Sequence, residues 1–120
     1  MPNKFIDRIK FDKRKFSVNV TLIGYQEDDN FVFFSPALDL YAYGDNQDEA
    51  YNAFDETIHL YIDHVLSEHT LEKDLKRLGW KRHAHFNKRF LPPKYDPRDL
   101  MSKKGVTSFN VIDKQLALSS

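Results

Sequence analysis

The chain has 120 residues, no cysteine, 41% apolar and 14% aromatic residues. That length suits one domain with one core. The composition argues against disorder and excludes a disulfide framework, thiol catalysis and cysteine-based zinc sites. Formal net charge is zero, but the charges are segregated: positions 26–72 hold twelve acids and no Lys or Arg, whereas positions 73–104 hold eleven bases against three acids. Such a chain presents an acidic and a basic surface to partners, or sets the two against each other within the chain or across a homodimer.

No apolar run approaches the ~20 residues of a membrane span. The stretch from Met1 to Arg8 lacks the apolar centre of a secretion signal. A cytoplasmic protein without a membrane partner is the expectation.

Phe5 to Phe11 reads as a short strand, and Asp12 to Lys15 as a polar turn. From Phe16 to Tyr25 the alternation is clean: Phe16, Val18, Val20 and Leu22 share one face, and Ser17, Asn19 and Thr21 the other. That is a half-buried strand. Gln26 to Asn30 reads as a hairpin turn, with Asn30 the residue suited to positive φ. Phe31 to Phe34 is the next strand, stopped by Pro36. Leu40 to Tyr43 is a third, closed by Gly44.

Asn46 is a good N-cap, and Glu49 three residues later completes a capping box. Ala50, Phe54, Ile58, Tyr61, Ile62 and Val65 form one apolar stripe at helical spacing. The pattern predicts an amphipathic helix over about 47–67 with an acidic outer face. Thr70 opens a shorter helix through Leu71, Leu75 and Leu78. Gly79 stops it, and Trp80 packs back on its last turn. Residues 81–105, rich in bases and proline, read as an irregular loop with one short strand around His83 to Phe86. Phe109 to Ile112 is a returning strand, and Lys114 to Ser120 a frayed tail. The expected fold is a single α+β domain over residues 1–120: an antiparallel sheet of three to four strands, one long helix on one face, a short second helix and the returning strand.

The chemistry-bearing residues are few. Asp39, Asp45, Asp48 and Glu49 form a carboxylate cluster that suits Mg²⁺. Three of the four lie at the helix start, where acids complement the macrodipole, and that is the preferred reading. His83 and His85 would share a strand face but lack a third zinc ligand. His59, His64 and His69 are five apart, so a helix spreads them around its cylinder. His59 reads as a surface ion pair with Asp55 and Asp63, four residues to either side. There is no Gly-x-Ser-x-Gly elbow and no phosphate-binding glycine loop. Neither catalysis nor a metal or cofactor is expected. Bases at Lys76, Arg77, Lys81, Arg82, Lys88, Arg89, Lys94 and Arg98 alternate with Trp80, Phe86, Phe90 and Tyr95. This suits nucleic acid through Lys81, Arg82, Lys88 and Arg89. The favoured alternative is that the aromatic residues anchor a long loop.

The stretch Phe33 to Ala50 resembles the HicB antitoxin family. A strand, a proline-containing segment and a short strand lead into a Gly-Asp-x-x-x-Glu-Ala helix start. Gly44, Asp45, Glu49 and Ala50 match it, and Asn46 stands where Ser or Thr is usual. The likeness runs from about Val18 to about Leu66, with a returning strand at 109–112. It implies a partial RNase H-like fold, oligomerisation, and the masking of a small basic RNA-cleaving toxin of the HicA type. Many members add a C-terminal DNA-binding module. Only eight residues follow position 112 here, so operator binding is not expected. The reading of the sequence is a non-enzymatic protein-binding domain, working as a homodimer. Its acidic residues Glu27, Asp28, Asp29, Asp55, Glu56 and Asp63 would meet the basic partner. A stand-alone RNA- or DNA-binding module is the alternative.

Overall fold

The structure, a computed structural model, describes residues 7–12, 15–82 and 89–119, without the side chains of 11, 12, 15, 89 and 117–119. The elements are β1 (Arg8–Asp12), β2 (Lys15–Glu27), β3 (Asn30–Ser35), β4 (Leu40–Gly44), α1 (Gln47–Ser67), α2 (Leu71–Arg77), β5 (Lys81–Arg82), β6 (Arg89–Leu91), α3 (Pro97–Lys103) and β7 (Asn110–Ser119). The fold is α+β, and all the described strand pairs are antiparallel. Among the described residues the sheet has seven strands, where three to four and a returning strand are expected, in the order β4-β3-β2-β1-β6-β5, with β7 also on β2.

The central strand is β2, thirteen residues long. β7 pairs with it from Lys15 to Gly24. A strand has only two edges, so β1, against residues 15–19, and β3, against residues 23–27, share the other one end to end. In the gap between them the Thr21 N–H donates to the Asp7 carboxylate, 2.6 Å away. That side-chain bond replaces the missing strand partner.

Alternation along β2 sorts the two faces as the sequence predicts. Phe16, Val18, Val20 and Leu22 join Phe54, Ile58 and Ile62 of α1 in the main core. Ile23, Tyr25, Val32 and Phe34 face the other way, into a second cluster closed by Met101 of α3. One sheet face is therefore covered by α1 and part of the other by α3.

Helix α1 spans the expected residues. Asn46 Oδ1 accepts from the Glu49 N–H at 2.9 Å, and Glu49 Oε2 accepts from the Asp45 N–H at 2.9 Å. Gly44 has a packing reason: a Cβ there would run into the backbone of Glu49 and Ala50. In α2 the Thr70 hydroxyl makes no capping bond. The helix ends on Gly79 at φ +98, with Gly79 N–H bonded to Lys76 O and Trp80 N–H to Leu75 O. These are the two hydrogen bonds of a Schellman-type glycine C-terminus.

Four expectations need correction. Positive φ in the β2–β3 turn falls on Asp28 (φ 53), while Asn30 already belongs to β3. The turn is two residues long, and Asp tolerates the left-handed region as Asn does. The segment 81–105 is not irregular throughout: Lys81 and Arg82 pair with β6, and α3 forms with Asp96 as N-cap and Pro97 in its first turn. The tail is not frayed, because β7 runs on to Ser119 against β2. The first strand starts at Arg8. Phe5, Ile6, the Lys13-Arg14 turn, the strand expected at His83 to Phe86, and Lys88 lie outside the described residues. No helix among those described is long and apolar enough to cross a membrane.

Candidate functional site

The acidic outer face of α1 follows from the helix geometry. Ala50, Phe54, Ile58, Ile62 and Val65 are buried on the sheet side. At 100° per residue, Asn52, Glu56, Leu60 and Asp63 fall within about 80° of one another on the opposite side. All four are exposed. Leu60 is 70% exposed, between two carboxylates that no described cation pairs. The outer face of α1 thus carries one exposed leucine between two carboxylates, a small apolar spot on an acidic surface. Leu60 escapes a sequence reading because one apolar residue off the stripe looks like noise. Only its exposure reveals it.

The six acids proposed from sequence do not form one patch. Glu56 and Asp63 lie on the outer face. Asp55 is turned the other way and forms an ion pair with Lys114 of β7, while His59 Nδ1 lies 3.7 Å from its carboxylate. No pair with Asp63 accompanies that contact. Lys114 is buried (8% exposed) and sits 4.7 Å from the Tyr51 ring centroid. Burial works against its charge, but the bonds to Asp55 and Tyr51 outweigh it and raise its pKa. The same bond holds the Asp55 carboxyl below its ordinary range. Glu27, Asp28 and Asp29 are exposed on the β2–β3 turn. That turn lies at the end of the sheet where Gly44 pairs with Phe31 and α1 begins. Asp63 is roughly 20 Å further along the helix.

The basic segment is largely tied into the fold. Trp80 is buried, and its indole N–H donates to Ala37 O at 2.8 Å. Phe90 is buried, and the Tyr95 hydroxyl donates to Asp7. Arg82 bonds Glu72 at 2.8 Å and lies over Phe90. Arg77 bonds Asp74 at 2.9 Å, Lys103 bonds Asp99 at 3.2 Å, and Lys104 reaches the Tyr41 hydroxyl at 3.2 Å over the stacked Phe34–Tyr41 pair. Of the nucleic-acid candidates, Lys81 is exposed on β5, Arg82 is engaged, Arg89 is placed only by its backbone in β6, and Lys88, like His83 and His85, lies outside the described residues. The three aromatic residues described are buried or half-buried anchors. They offer no open stacking platform.

Asp39 sits at φ 55 in the turn after Pro36, and Glu49 is used by the Asp45 N–H. Among the described residues no three His, Cys, Asp or Glu converge on a metal position. One basic feature was not expected. A depression of about 550 Å³ on the sheet is lined by Arg8, Lys10, Ser17, Asn19 and Gln115. Among the described residues no aromatic side chain lines it. No protein-family model, curated protein or solved structure matches the chain.

Proposed function

We propose that this chain is a HicB-like, non-enzymatic protein-binding domain that neutralises a small basic ribonuclease and works as a homo-oligomer. The observation that carries this reading is the outer face of α1, where Glu56 and Asp63, paired by no described cation, flank exposed Leu60. A basic partner is steered to such a face by opposite charge and held by the apolar anchor. The HicB resemblance of residues 33–50 supports the same class of partner. That segment folds as strand, proline turn, short strand and capped helix. The engagement of Arg82 and the burial of Trp80 and Phe90 weigh against the nucleic-acid reading.

The experiment is co-expression with the product of the adjacent reading frame in the genome. The expected result is a small, basic, RNA-cleaving neighbour that copurifies with this chain and is silenced by it. A neighbour that neither binds nor loses activity overturns the antitoxin reading.

A further inference from the structure

The sheet has three outer edges of unequal length. β4 offers five residues, and short edge strands resist pairing with other chains; β5 is described over Lys81–Arg82. β7 offers ten. Its backbone polarity is fixed by β2. The Thr21 N–H points to Asp7, away from β7. Asp113 stands directly opposite Thr21, so its own N–H and C=O point away from β2. By the same alternation, Val111, Gln115 and Ala117 direct their backbone groups outward. Among the described residues no strand receives them.

We propose that this edge pairs antiparallel with the same edge of a second copy, around a two-fold axis at Lys114, so that one sheet continues through the dimer. The inference rests on the self-association part of the reading above and names its surface. A second copy is the fitting occupant because the strand complements itself. A two-fold axis normal to the sheet keeps every residue on its own face, so residues equidistant from the axis meet. Ile112 then lies opposite the partner's Leu116, an apolar pair. Asp113 lies opposite the partner's Gln115, a carboxylate facing an amide donor. Lys114 on the axis is turned into its own domain and bonded to Asp55, so the dimer sets no bare ammonium groups together. Moving the axis to Asp113 would place two carboxylates opposite each other. Moving it to Gln115 would set Lys114 against the partner's Leu116.

The test is the mass of the full chain in solution, by light scattering and sedimentation, with three variants. Wild type is expected at twice 14.2 kDa. Gln115→Pro removes an outward N–H and leaves the β2 ladder intact, because proline is tolerated on an open edge. It is expected to give a folded monomer, with circular dichroism as the check on folding. Gln115→Lys sets opposite charges across the axis and should tighten the dimer about 5-fold. Gln115→Glu sets like charges and should loosen it by about the same factor. These two carry the test if the proline variant does not fold. A dimer indifferent to all three substitutions overturns the β7 interface and leaves self-association standing. A wild-type chain that stays at 14.2 kDa overturns both.

Discussion

The acidic stretch 26–72 and the basic stretch 73–104 look like mirror images in the sequence, but the fold treats them differently. The acidic stretch runs from the β2–β3 turn through β3 and β4 into α1, which has one face committed to the core and one left open. The basic stretch is held at Trp80, Phe90 and Tyr95, and Arg77, Arg82, Lys103 and Lys104 find acids or rings of their own. A charge block is a surface only where its charges lack internal partners. Surface pairs contribute little to stability, about 0–1 kcal/mol each. Their importance here is that they give several exposed bases a partner within the chain, while no described cation pairs Glu56 or Asp63.

The most damaging break in this comparison is at Trp80. Trp80→Ala removes a fully buried ring and leaves Ala37 O without its donor. It should cost about 3–5 kcal/mol in urea unfolding followed by circular dichroism. A cost under about 1 kcal/mol would mean that the basic stretch is not held as described.

A smaller break is at Lys114, where the fold draws one acid of the helix inward. Lys114→Ala frees Asp55 to join the outer face and should cost about 1–3 kcal/mol, since Asp55 is 42% exposed and regains water.

The smallest and sharpest difference lies in pH. The lowered pKa of Asp55 contributes stability that is present above its ordinary value of 3.8 and lost as pH falls through the folded value. Asp7 is the reverse. Burial is the largest influence on its carboxyl and raises the pKa, against the bonds from Tyr95 and Thr21. Its ionisation therefore costs stability above the folded pKa, and that cost vanishes as pH falls. Asp55→Asn should lose ground to wild type as pH rises towards about 4, and Asp7→Asn should gain ground as pH rises above about 4, each by roughly 1 kcal/mol or less. Parallel slopes in the two variants would contradict the assignment.

Legibility followed locality. α1 was readable to within a residue because its cap, its stripe and its acidic first turn are all contiguous. β2 was readable because its alternation runs unbroken. The far half of β7 was not, since Asp113, Lys114 and Gln115 look like a solvated end. Lys114 makes sense inside only once Asp55, 59 residues earlier, is seen beside it. α3 carried its signal in Asp96 and Pro97 but buries only Met101 fully, too little for a periodic pattern. Of the site, the acidic face was legible and its composition was not: Asp55 turns inward, and Leu60 enters.

The central claim is that the outer face of α1 binds a basic protein. The most direct measurement is the affinity of the adjacent reading frame's product for wild type and for the Glu56→Lys, Asp63→Lys double variant, at low and high salt. The account predicts binding that weakens by about 10-fold or more with salt and is lost in the double variant, whose unfolding stability stays within about 0.5 kcal/mol of wild type. Binding indifferent to both salt and the two substitutions would contradict it.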